Sequence, residues 1–68
     1  MSTLLPHQQR VVDEETELDK KIDSLSAFFA NQMFQTLPEA ERDLLKRQHA
    51  AMETYSSILG DRIAAFAA

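Results

Sequence analysis

Apolar residues recur at helical spacing along the first half of the chain. Five of them follow at steps of seven, four, three and four residues: Val11, Leu18, Ile22, Leu25 and Phe29. This spacing places all five on one narrow stripe of a helix. Pro6 suits the first turn, because its missing N–H would have no partner there. A helix is therefore predicted over about residues 6–30.

A second helical pattern follows a short interruption. Thr36 and Glu39 have the spacing of a capping box, and Pro38 is tolerated in a first turn. We therefore predict a turn at about 31–36 and a helix over about 37–66. One group of apolar residues is expected to face the first helix: Leu45, Met52, Tyr55, Leu59, Ile63 and Phe66. A second apolar edge is expected from Leu44, Ala51, Ile58 and the side of Tyr55.

The length and the short connection favour one all-α domain over residues 1–68. The chain has 68 residues, one glycine and two prolines, which leaves little room for a sheet. A connection this short makes the helices antiparallel neighbours, so a two-helix hairpin is predicted. A lone hairpin leaves the second apolar edge uncovered. We therefore expect the hairpin to assemble into a symmetric homo-oligomer.

Charge and motif content argue against several classes of function. A net charge of −4 disfavours DNA or RNA as a partner. No stretch is apolar enough to cross a bilayer, so we expect a soluble cytoplasmic protein without a membrane partner. There is no cysteine, and His7 and His49 lack the spacing of helical metal ligands. With no nucleophile elbow or phosphate loop, the sequence predicts no enzyme, metal or cofactor.

Three charged or ionisable residues are candidates for ligand binding. His7 lies in the first helical turn, where unpaired N–H groups favour an anion, and Arg10 follows one turn on. Arg62 lies on the border of the apolar stripe, beside Gly60, which costs about 1 kcal/mol relative to alanine in a helix. Arg62 could form a salt bridge with another chain or contact a phosphate or base edge, and both interpretations stay open.

Two segments cover most of the chain from His7 to Phe66. They are HQQRVVDEETELDKKIDSLSAF and LPEAERDLLKRQHAAMETYSSILGDRIAAF. They resemble the small phage proteins of the anti-CBASS cyclic-oligonucleotide sponge family. The resemblance implies homo-hexamers of helical hairpins in the host bacterial cytoplasm. It also implies that they sequester, without cleavage, cyclic di- and trinucleotides of the cyclic GMP-AMP and cyclic tri-AMP type.

The resemblance further implies two kinds of pocket between protomers. One stacks an aromatic residue on a base and binds phosphate through a lysine of the first helix. His7 stands where a tyrosine is expected, and Lys21, next to Lys20, is the candidate lysine. The other binds cyclic trinucleotides through an arginine near the end of the second helix, which Arg62 matches, with Ser24 as its candidate hydroxyl partner.

Two alternatives stay open beside the sponge. The first is a small phage adaptor that binds a host or phage protein through the second apolar edge. The second is a purely structural helical oligomer, in which Arg62 serves assembly and no ligand. Light scattering and ligand titration separate these three hypotheses.

Overall fold

The computed structural model describes residues 4–66, and this part of the chain is helical without a β-strand. Three helices follow in order: α1 (Pro6–Phe29), α2 (Gln32–Thr36) and α3 (Glu39–Phe66). The prediction of an all-α fold is confirmed. The connection differs from the expected turn at 31–36, because it contains the short helix α2. The molecule is a rod of 50 × 16 × 15 Å.

Local hydrogen bonds define the ends of α1. Leu5 has an extended backbone, and its N–H donates to Oε1 of Gln8 at 2.9 Å. This bond satisfies a backbone donor just before the helix, where such groups lack helical partners. At the other end, the N–H of Ala30 donates to the carbonyl of Ala27 at 3.2 Å. The side chain of Asn31 then accepts from the N–H of Met33 at 2.8 Å and begins α2.

The start of α3 differs from the expected position at residue 37. The hydroxyl of Thr36 donates to the carbonyl of Met33 at 2.7 Å, and Thr36 is the last residue of α2. The N–H of Leu37 likewise bonds back to Phe34. Both residues are therefore held by the turn before them, and α3 begins only at Glu39.

The main core lies between α1 and α3. Its buried members are Val11, Leu18 and Leu59, and Leu59 is completely inaccessible to solvent. Four partly buried residues pack against them: Ile22, Met52, Ile63 and Phe66. Three residues of the apolar stripe predicted for the first helix, Val11, Leu18 and Ile22, therefore lie in this core, as the 3.6-residue period requires.

Polar contacts also join α1 to α3. The hydroxyl oxygen of Ser56 lies 2.7 Å from Oε1 of Glu15 and 2.9 Å from Oδ1 of Asp19. Nearer to α2, the hydroxyl oxygen of Ser26 lies 2.7 Å from Nε2 of His49. These contacts fix the register of the two helices, that is, which residues of α1 lie beside which residues of α3.

A separate aromatic cluster fills the bend around α2. Phe34 is buried, and its ring centroid lies 5.8 Å from that of Phe28 and 5.0 Å from that of Phe29. The ring of Phe29 also meets His49 edge-on at 5.3 Å. Edge-to-face geometry of this kind is favourable for aromatic pairs. The cluster therefore holds the bend against both long helices.

Candidate functional site

A concave groove lies between α1 and α3. Its volume is about 470 Å³, within the range of about 300–1,000 Å³ that is usual for small-molecule sites. Eight residues line it: Glu17, Lys20, Lys21, Ser24, Leu25, Phe28, Gln48 and Met52. We call this surface the binding groove. It brings together two of the sequence-predicted site residues, Lys21 and Ser24.

The binding groove combines an apolar floor with polar groups at its rim. Leu25, Phe28 and Met52 are half-buried and supply the floor. The packing of Phe28 against Phe34 holds its ring in place. The Ser24 hydroxyl and the Gln48 amide can donate and accept hydrogen bonds. A planar heterocycle with polar edges has the chemistry to match such a surface.

The two lysines of the groove differ in their partners. Nζ of Lys20 lies 3.2 Å from Oε1 of Glu17, and both side chains are well exposed. Within residues 4–66, Lys21 forms no ion pair. Its ammonium group therefore has no carboxylate within this range that competes with an anion in the groove. Lys21 and Ser24 are three residues apart, so their side chains share one face of α1.

His7 and Arg10 lie outside the binding groove. Both are exposed on the first turns of α1. A helix rises 1.5 Å per residue, so Arg10 and Lys21 are about 16 Å apart along the axis. A small ligand cannot touch both within one chain.

Arg62 also lies outside the groove, on the exposed surface of α3. Ser56 contacts Glu15 and Asp19. Ser26 contacts His49, which precedes Ser56 in α3. Residues of α3 that follow Ser56 therefore lie progressively further from Ser24. The pairing of Arg62 with Ser24 is therefore not formed within one chain.

Gly60 is exposed in α3, and a Cβ atom at this position would meet no atom within 4 Å beyond its own stretch of helix backbone. No packing neighbour within residues 4–66 accounts for the glycine. The helical surface beside Arg62 is instead open to an approaching molecule.

Sequence reasoning did not single out Phe28, Gln48 or Met52 as groove residues. A signal was available in the spacing, since Phe28 follows Ser24 by four residues and Met52 follows Gln48 by four. Each pair shares one helical face. The sequence does not show which residues of α1 lie beside which residues of α3. This register of the two helices creates the groove.

The second apolar edge predicted for α3 is exposed. Leu44, Tyr55 and Ile58 have 58%, 42% and 52% of their surface accessible. The sequence pattern placed Tyr55 on both apolar groups, and the structure places it on the exposed one. Exposed apolar residues gathered on one helix typically mark an interaction surface.

The fold and the groove define a small helical protein with a ligand-sized surface between its two long helices. No helix among residues 4–66 is long and apolar enough to span a membrane. In the same range, no three His, Asp or Glu side chains are grouped so as to hold a metal ion.

The chain belongs to the Sequestin family, whose model matches residues 5–65. It is also 38% identical over 63 residues to a protein of Enterobacteria phage T4. That relative is described as an uncharacterized 7.5 kDa protein in the denB-rIIB intergenic region. The match covers 93% of this chain and 98% of the relative. No solved structure matches the chain.

Proposed function

We propose that this protein is a phage anti-CBASS sponge, which binds cyclic di- and trinucleotides in the host bacterial cytoplasm and does not cleave them. Its building block is an antiparallel hairpin of α1 and α3, and six copies form the assembly. Membership of the Sequestin family supports a sequestering role. The phage relative supports a phage origin. The groove supplies the chemistry.

The observation that carries this proposal is the position of Lys21 and Ser24 beside an apolar floor. The Lys21 ammonium binds a phosphate oxygen, and the Ser24 hydroxyl donates a second hydrogen bond to it. Leu25 and Phe28 then cover the face of a base. A cyclic dinucleotide has two phosphates, and two protomers related by a two-fold axis present Lys21 twice. An acidic chain thereby forms a locally basic site.

Arg62 serves the larger, cyclic trinucleotides. Its side chain is exposed, so it is accessible to other copies of the chain. Three copies around a three-fold axis place three guanidinium groups opposite three phosphates. In the other pocket, which uses Lys21, His7 of a neighbouring protomer stacks on a base, and Arg10 adds a nearby positive charge. These residues act between protomers, since one chain does not bring them together.

Isothermal titration of the protein with cyclic GMP-AMP and with cyclic tri-AMP tests this function. We expect saturable heat with at least one of them at micromolar protein. Ligand recovered after denaturation should be chemically unchanged, because sequestration breaks no bond. Absence of heat with both ligands and with a wider cyclic-nucleotide panel would falsify the proposal. Hydrolysed ligand would contradict its non-enzymatic part.

The exposed edge of α3 favours a second candidate function, a phage adaptor for a host or phage protein. Leu44, Tyr55 and Ile58 offer an apolar surface that a different protein could cover. Light scattering at micromolar concentration separates the candidates. A defined higher oligomer supports the sponge, and a monomer supports the adaptor.

A further inference from the structure

The exposed surface of α3 carries a continuous seam of seven residues. They alternate at steps of three and four residues, the spacing that lines one side of a helix facing a partner helix. The seam residues are Glu41, Leu44, Gln48, Ala51, Tyr55, Ile58 and Arg62, and all seven are exposed. Gln48 also lines the binding groove, so the seam and the groove adjoin.

The apolar part of the seam matches the same part of a second copy when the two helices run antiparallel. When two copies of α3 run antiparallel with Ala51 at the crossing point, Leu44 of one copy faces Ile58 of the other. Gln48 faces Tyr55, whose hydroxyl is a hydrogen-bond partner for the amide. Ala51 faces itself, and a small residue at that point allows the helices to approach closely.

The charged ends of the seam favour the same arrangement. In the antiparallel pairing, Glu41 of one copy lies opposite Arg62 of the other, at both ends of the seam. A parallel pairing would instead bring Glu41 beside Glu41 and Arg62 beside Arg62. Opposite charges that meet in only one orientation select that orientation.

We propose that the α3 seam binds the same seam of a second copy, antiparallel about a two-fold axis at Ala51. The inference rests on the assembly part of the proposed function and adds its surface and its register. A two-fold interface uses the same patch on both subunits. Such an interface requires a self-complementary patch, and the seam meets this requirement in its apolar residues and in its charges.

This pairing completes the binding groove with a residue from another chain. Gln48 lines the groove, and Tyr55 of the second copy faces Gln48, so a phenol ring reaches the groove rim. Aromatic rings stack on nucleobases. The Arg62 guanidinium has five N–H donors, so one edge can contact Glu41 while the other stays available to a phosphate.

Disulfide crosslinking tests the two-fold axis, since the chain contains no cysteine. Packed helices lie about 8–10 Å apart and their Cα atoms about 2.3 Å from each axis, so at about 9–10 Å two facing Cα atoms are about 4.4–5.4 Å apart. An Ala51→Cys pair is then within disulfide range. Under mild oxidation we expect most of this variant to run as a covalent dimer. Ala50→Cys, the control, points off the seam and should crosslink at least tenfold less. Equal crosslinking of the two variants would overturn the proposal.

Charge reversal tests the register in the Ala51→Cys background. Glu41→Arg or Arg62→Glu alone places like charges together and should lower the crosslinking rate severalfold. The double variant restores opposite charges and should recover most of the rate. Failure of the double variant to recover would overturn the proposed register. Far-UV circular dichroism establishes that each variant remains helical.

The crosslinking is done without nucleotide, so it is independent of the sponge function. Crosslinking through Ala51→Cys, combined with no heat in nucleotide titrations of the native chain, would support the seam and reject the ligand. Heat in those titrations, combined with equal crosslinking of Ala51→Cys and Ala50→Cys, would overturn the seam interface and still support nucleotide binding.

Discussion

The hydroxyl oxygen of Ser26 lies 2.7 Å from Nε2 of His49 and ties α1 to α3 across 23 residues of sequence. His49 is held further by Phe29, whose ring centroid is 5.3 Å away, and by Glu53, whose Oε1 is 3.3 Å from Nδ1. The contact lies on the part of the rod nearer to the bend. It therefore fixes the register of α1 against α3, and the binding groove depends on this register.

Ser26→Ala should lower the free energy of unfolding by about 0.5–1.5 kcal/mol, the usual contribution of one hydrogen bond. The matched control is Ser57→Ala, an exposed serine of α3. Urea unfolding measures both at one fixed protein concentration, because the proposed assembly would make stability depend on concentration. Equal values for the two variants would show that the Ser26 contact adds no stability.

Glu15→Gln should raise the stability of the protein. The Ser56 hydroxyl contacts both Glu15 and Asp19 but carries one hydrogen, so it can donate to only one carboxylate. Oε2 of Glu15 is buried and has no hydrogen-bond partner within residues 4–66. An amide removes one negative charge and can donate to Asp19. We expect a gain of about 0.5–1.5 kcal/mol.

The control for this prediction is Glu14→Gln. Glu14 is the neighbouring exposed glutamate, and its change should leave the urea midpoint nearly unaltered. A lower midpoint for Glu15→Gln would show that the carboxylate makes a favourable contact that the native charge requires, such as one with another copy.

Gly60→Ala should stabilise a single chain by about 0.5–1 kcal/mol, because alanine restricts the unfolded backbone and favours the helix. The structure leaves open space for the added methyl group. Ala50→Gly, at an exposed position of the same helix, should cost a similar amount. Thermal unfolding measures both shifts. Loss of assembly or of ligand binding in Gly60→Ala would mean that another molecule approaches the backbone there.

Lys21→Ala should weaken cyclic-dinucleotide binding by roughly 10- to 100-fold, as expected for a lost hydrogen bond from a charged group. Lys20→Ala should weaken it by less than about fivefold, because Lys20 already pairs with Glu17 on the surface. Isothermal titration compares the two. A larger effect at Lys20 would assign the phosphate contact to the other lysine.

Helical periodicity predicted the parts of the fold that depend on one helix alone. The step from Val11 to Leu18 marks the buried side of α1, and both residues are buried. The capping pattern at Thr36 and Glu39 predicted a start of α3 at about residue 37, and the helix begins at Glu39. The Thr36 hydroxyl instead bonds to the carbonyl of Met33 within the short helix α2.

The site was predictable only in part, since a groove is a relation between two helices. The resemblance assigned Lys21 to one pocket and Ser24, as a partner of Arg62, to another, whereas both line the same groove in one chain. Gln48 and Met52 line the groove from α3. Contacts such as that of Ser26 with His49 determine which residues of α1 they face. Those contacts depend on packing between residues far apart in sequence.

The rod is 50 Å long but only 16 Å by 15 Å across. Packed helices lie about 8–10 Å apart from axis to axis, so a rod this narrow is only about two helices wide. A ligand on a single rod therefore has walls on at most two sides, and any further walls must come from other rods. In the proposed oligomer, ligand binding and assembly are thermodynamically linked. A ligand that touches several chains strengthens their association by the same factor by which the association strengthens its own binding.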